Sequence, residues 1–66
     1  MTHFQQVRLI RDFYESYAQI MESRWISPKH WATITAMREL PHLSPEQQEM
    51  CDRVFHMLEK GRIQCA

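Results

Sequence analysis

Two serine-proline pairs divide the chain and constrain its fold more than any other feature. Ser27-Pro28 and Ser44-Pro45 each place a helix-capping side chain directly before a proline. A serine at the N-cap accepts a hydrogen bond from an otherwise unpaired N–H, and a proline at the first helical position loses no hydrogen bond. Gln47 lies three residues after Ser44, where it can complete a capping box. Both pairs therefore predict that a helix begins at the proline.

The segment before the first pair is predicted to form one long helix over residues 2–24, with Thr2 as its candidate N-cap. Apolar side chains recur along it at alternating spacings of three and four, which is the period of an amphipathic helix. The stripe consists of Val7, Ile10, Tyr14, Tyr17 and Met21, and it is widened by Phe4, Phe13 and Ile20. The opposite face is polar and is expected to be solvated.

Two shorter helices are predicted after the serine-proline pairs. The second covers residues 28–40 and ends before Pro41, because the residue before a proline disfavours helical geometry. The third covers residues 45–60, and Gly61 supplies the left-handed residue that commonly ends a helix. Their apolar positions are Trp31, Ile34, Met37 and Leu40 in the second helix, and Met50, Cys51, Val54, Met57 and Leu58 in the third. Residues 62–66 receive no assignment.

These elements predict an all-α fold, a small three-helix bundle formed by a single domain over residues 1–66. The long first helix packs against the shorter helical hairpin. At 1.5 Å per residue the first helix is roughly 30 Å long, more than either partner covers. We therefore expect some of Phe4, Val7, Tyr14 and Tyr17 to remain available to another chain.

Composition narrows the classes of function and the location. Eight acidic residues balance eight basic ones, whereas a nucleic-acid-binding protein usually carries a basic excess. No apolar run reaches the ~18 residues of a membrane span, and the first residues lack the pattern of a secretory signal. Cys51 and Cys65 are too few for a disulfide framework. We expect a cytoplasmic protein with reduced thiols and no membrane contact.

Catalytic and metal-binding patterns are weak, so we predict neither an enzyme nor a cofactor or metal site. Gly61 is the one glycine, which excludes a glycine-rich phosphate loop. Asp52 and His56 lie one helical turn apart, but structural zinc needs four ligands and no second pair is present. Cys51 lies on an apolar stripe, where cysteine is usually a small buried hydrophobe. The histidines, His3, His30, His42 and His56, are interpreted as isolated surface residues.

An aromatic cluster with a basic rim is predicted at the bend between the first two helices. Trp25 and Trp31 flank this bend, with Arg24 beside the first and Lys29 and His30 beside the second. Tryptophans in a small domain commonly anchor the core. The alternative is an exposed patch that receives an acidic segment of a partner, since Trp and Arg are enriched among residues that dominate binding.

The function predicted from these patterns is that of a small non-enzymatic regulatory or adaptor protein, acting through helix-mediated protein–protein contacts as a homodimer. Tyrosines on the first helix favour this prediction, because tyrosine is enriched at interfaces. The predicted partner-binding residues are Phe4, Val7, Ile10, Arg11, Tyr14, Tyr17, Arg24, Trp25, Lys29 and Trp31.

Two alternatives come from other classes of protein. In the first, the second helix, residues 41–44 and the third helix form a helix-turn-helix that binds nucleic acid. Gln47 or Gln48 would then read adenine, although Glu46 and Glu49 would face phosphates. In the second, the chain is a structural subunit whose apolar stripe is permanently covered within a larger assembly.

Overall fold

The computed structural model describes residues 3–65 and has three helices joined by short connections. Helix α1 spans His3–Ser23, α2 spans Pro28–Arg38 and α3 spans Pro45–Glu59. Two short strands complete the fold, β1 at Trp25–Ile26 and β2 at Gln64–Cys65. The predicted all-α fold with a long first helix is confirmed, and the candidate cap Thr2 lies outside the described residues.

Both serine-proline pairs begin helices as predicted. The Ser27 hydroxyl accepts a hydrogen bond from the His30 N–H at 3.2 Å, and the Ser44 hydroxyl accepts one from the Gln47 N–H at 3.1 Å. In return, the Ser27 N–H donates to Nδ1 of His30 at 3.5 Å, and the Ser44 N–H donates to Oε1 of Gln47 at 3.1 Å. Histidine therefore takes the place of glutamine in the capping box of α2.

The helices end slightly earlier than predicted. Helix α1 ends at Ser23 because Arg24 takes a left-handed conformation with φ of 64°. Helix α2 ends at Arg38 rather than Leu40, because the Leu40 N–H donates to the Met37 carbonyl three residues back and tightens the last turn. Helix α3 ends at Glu59, and Gly61 with φ of 72° supplies the predicted left-handed residue.

The core draws side chains from every helix, from Ile26 of β1 and from Ile63, which precedes β2. Its members are at most 2 % exposed: Phe13, Ile20, Ile26, Ile34, Met37, Cys51, Val54 and Ile63. Phe13 and Ile20 fix which side of α1 faces inward. Within residues 3–65, no helix has the length and apolar character required to cross a bilayer.

The strand pair is the element that sequence patterns did not predict. Strands β1 and β2 run parallel, with Trp25 opposite Gln64 and Ile26 opposite Cys65. The Gln64 N–H donates to the Arg24 carbonyl at 3.1 Å, and Ile63 is buried just before the strand. The chain beyond α3 therefore returns to the bend after α1 and adds to the core there.

Candidate protein-contact surfaces

The apolar stripe predicted along α1 is divided between the core and the solvent. Phe13 and Ile20 are fully buried, and Ile10, Tyr17 and Met21 are half-buried at the edge of the core. Three large side chains remain exposed: Phe4 by 87 %, Val7 by 53 % and Tyr14 by 39 %. Helix α1 thus carries apolar surface that its own chain leaves uncovered.

The exposed side chains of α1 form a second stripe, which we call the outer face. Its members are Phe4, Val7, Arg11, Tyr14 and Ala18, at spacings that alternate between three and four. At 3.6 residues per turn this stripe is centred about 150° around the helix from Phe13 and Ile20. Phe4, Val7, Arg8 and Arg11 line a shallow groove on this side. The outer face therefore points away from the core.

Tyr17 belongs to the contact between α1 and α3 and not to the outer face. Its hydroxyl accepts a hydrogen bond from Nη1 of Arg53 at 3.1 Å, and its ring packs on Phe13 with centroids 6.4 Å apart. Nη2 of Arg53 also lies 3.8 Å from Oε1 of Glu49. Tyr17 and Ile10 were predicted as partner contacts, and the structure places both at the edge of the core.

The two tryptophans are exposed rather than core anchors, and they occupy different surroundings. Trp25 is 52 % exposed on the short strand β1, next to the buried Ile26. Trp31 is 39 % exposed and packs edge-on against Phe55 of α3, with ring centroids 5.5 Å apart. The guanidinium of Arg38 lies over the same Phe55 ring, 4.6 Å from its centroid. The ring contacts of residues 3–65 include none between Trp25 and Trp31.

The basic side chain beside Trp31 is not the one predicted for the rim of the aromatic cluster. Lys29 lies two residues from Trp31, and side chains at that spacing point to different sides of a helix. It lines a polar groove between α1 and α2 together with Asp12 and Glu15. The cation beside the Trp31 cluster is Arg38, seven residues further along α2. A spacing of seven residues places Trp31 and Arg38 on one side of a helix, so the sequence could have indicated Arg38. Phe55 joins the cluster only through tertiary packing.

A small apolar groove lies beside Trp31 at the strand end of the molecule. Its walls are formed by Ile26, Ser27, Pro28, Trp31 and Cys65. The Cys65 thiol is exposed in this groove, whereas Cys51 is buried in the core. The groove and the outer face of α1 are separate surfaces, and the length of α1 sets Phe4 roughly 30 Å from the strand end.

The described side chains include no cluster of metal-ligating groups, and the Cys51 thiol is buried. Among residues 3–65, no three His, Cys, Asp or Glu side chains lie close enough together to hold a metal ion. Burial raises the pKa of the Cys51 thiol above its ordinary value, the Asp52 carboxylate raises it further, and Arg38 lowers it. A buried thiol that keeps its proton is a poor nucleophile.

The connection between α2 and α3 differs from the one that a helix-turn-helix needs. Helix α2 ends at Arg38 and α3 begins at Pro45, so six residues join them instead of the four that were predicted. The first exposed side chains of α3 include Glu46, Glu49 and Asp52. Carboxylates at the start of a recognition helix would face the phosphates of DNA.

Comparison with protein-family models, with curated proteins and with solved structures finds no match to this chain.

Proposed function

We propose that this chain is a small non-enzymatic regulatory or adaptor protein that acts through contacts with other protein chains. The observation that carries the proposal is the exposure of five large hydrophobic side chains among residues 3–65: Phe4, Val7, Tyr14, Trp25 and Trp31. Exposed apolar side chains are common singly, but a grouped set marks an interaction surface. Three of these five share the outer face of α1.

The positions of the two surfaces suit an adaptor, which has to hold two chains at once. The outer face is formed by one regular helix, a geometry that fits another helix. The groove at the strand end has Trp31 as its aromatic wall. Arg38 lies outside the groove, over the Phe55 ring that packs on Trp31, and Trp and Arg are enriched among residues that dominate binding energy. We infer that this groove receives an apolar side chain of a partner whose flanking residues are acidic.

The proposal assigns the protein to the cytoplasm. Its two cysteines are free thiols, one in the core and one exposed. Free thiols persist in a reducing compartment, whereas an exposed thiol is readily oxidised elsewhere.

Site-specific photo-cross-linking in cells tests the proposal. A photoreactive phenylalanine analogue is placed singly at Phe4, at Trp31 and, as a control, at the exposed Glu59 of α3. We expect adducts of discrete mass from Phe4 and Trp31, unchanged by nuclease and absent from Glu59. Excess unlabelled chain should compete for them, and excess Val7→Glu chain should not compete for the Phe4 adduct.

The control position decides how the result is interpreted. Equal labelling from Phe4, Trp31 and Glu59 would mean that the two surfaces have no preference for protein, and the proposal would be wrong. Adducts that disappear on nuclease treatment would move the nucleic-acid alternative to first place.

A further inference from the structure

We propose that the outer face of α1 pairs with the outer face of a second copy of this chain, with the two helices antiparallel. This inference deepens the proposed function by naming the occupant of one of its two surfaces. It rests on three features of α1: the spacing of the outer face, the positions that line its groove and the order of its charges.

The spacing of the outer face is that of a helix that packs along another helix. Phe4, Val7, Arg11, Tyr14 and Ala18 follow the three-four alternation of a coiled-coil seam, in which positions a and d repeat every seven residues. Met21, half-buried, is the next position in the series. The seam therefore runs along nearly the whole of α1.

The groove on the outer face is lined by the positions that form a hole in a coiled coil. Its four lining residues are Phe4, Val7, Arg8 and Arg11. Side chains at i, i+3, i+4 and i+7 are the four that surround one side chain of the facing helix in knobs-into-holes packing. The groove thus fits a side chain delivered by a second helix.

The position of Arg11 decides between the two orientations. In a parallel pair each seam position meets its own copy, so Arg11 would face Arg11 at the centre of the seam. In an antiparallel pair the a positions face d positions, and Arg11 of one copy lies beside Tyr14 of the other. A guanidinium over a tyrosine ring is attractive, whereas two guanidinium groups repel.

The charges that flank the seam favour the same orientation. Arg8 and Glu15 are exposed one heptad apart along one edge of the outer face. Antiparallel pairing brings this edge against the same edge of the second copy, so that Arg8 of each chain lies beside Glu15 of the other. A parallel pair brings the edge against Ile10 and Tyr17 instead, which offers no opposite charge.

A charge-reversal cycle tests the pairing, with sedimentation equilibrium as the readout. We expect Arg8→Glu and Glu15→Arg each to raise the dimer dissociation constant about tenfold, since each reversal replaces two attractive pairs. The double variant should return it close to the original value. The matched controls Lys60→Glu and Glu59→Arg, exposed and outside α1, should leave it unchanged.

Cross-linking tests the orientation directly. Single cysteines replace Val7 and Ala18 in a Cys65→Ser background, while the buried Cys51 stays in place. With a short bis-maleimide, mixed samples should give chiefly the Val7→Cys with Ala18→Cys product. Products that join two copies of the same position would overturn the antiparallel order.

The two proposals fail in different ways. A chain that stays monomeric while Phe4 still cross-links to a different protein would overturn the self-pairing and leave the adaptor function standing. If the chain is a monomer and its outer face also gives no adduct in cells, both the self-pairing and the protein-contact function of this surface are overturned.

Discussion

At the scale of single residues, two phenylalanines on one helix have opposite environments. Phe13 is fully buried against Tyr14 and Tyr17, whereas Phe4 is 87 % exposed on the outer face. The two phenylalanines of α1 therefore have different roles, one in folding and the other in the proposed binding. The folded chain needs Phe13, and the proposed contact needs Phe4.

This contrast predicts different outcomes for the two alanine variants. Phe13→Ala removes a buried ring at a cost of about 3–5 kcal/mol, which is comparable with the whole stability of a domain of this size. We expect that variant to be largely unfolded by circular dichroism. At protein concentrations low enough to keep the chain monomeric, Phe4→Ala should leave the free energy of unfolding measured with urea within about 0.5 kcal/mol of the original, as exposed positions do. Equal loss in both variants would contradict the assignment of the inner and outer faces.

The buried thiol of Cys51 predicts a dependence of stability on alkaline pH. Its pKa is raised in the folded chain, mainly by burial, so the folded state holds the proton to higher pH than the unfolded chain does. The resulting stability is fully present below the unfolded pKa and is lost as the pH rises through the folded value.

The measurement is urea unfolding between neutral pH and the range just above the ordinary thiol pKa of 9.0. The original chain should lose stability over that range, and Cys51→Ala should lose less, because it has no thiol to ionise in the unfolded state. Parallel curves for the two proteins would show that the Cys51 environment does not favour the protonated thiol.

At the scale of elements, the helix starts were predictable because capping is local. Ser27 and Ser44 each satisfy an N–H within three residues, and the structure has both bonds. The division of the α1 stripe was only partly predictable. Sequence spacing placed Phe13 and Tyr14 on one broad stripe, but the directions from which α2 and α3 approach decide which of them is buried.

The strand pair was not predictable from sequence patterns. Two-residue strands show no alternation of apolar and polar residues, and β1 and β2 lie almost forty positions apart. The contact of Trp31 with Phe55 was missed for the same reason, since it joins different helices. The helices and their packing into a bundle were predicted, whereas the strand pair and the contact of Trp31 with Phe55 depend on where residues far apart in sequence meet and were not predicted.

The role of the strand end can be tested at Ile63, which is 2 % exposed. Ile63→Val removes one buried methyl group and should lower the free energy of unfolding by about 1 kcal/mol. The neighbouring Gln64 is exposed, so Gln64→Ala should have little effect as measured by urea unfolding. If Ile63→Val were neutral, the chain after α3 would not contribute to the core as the structure shows.

At the scale of the whole molecule, a short chain divides its apolar residues between two tasks. Among residues 3–65, eight hydrophobic side chains build the core and five large ones stay in contact with solvent. A small domain can bury only about 60 % of the surface that its unfolded chain exposes, so association adds burial that the single chain lacks. The outer face of α1 is a regular exposed surface on which such burial can occur when two copies pair.

The most direct measurement of this pairing is the solution mass by light scattering over a concentration series that reaches high micromolar. If the outer faces pair, we expect the mass to approach twice the 8.0 kDa of the chain, and Val7→Glu to remain at the mass of a single chain with unchanged helicity. A mass of 8.0 kDa at every concentration, or a Val7→Glu variant as large as the original protein, would contradict the pairing.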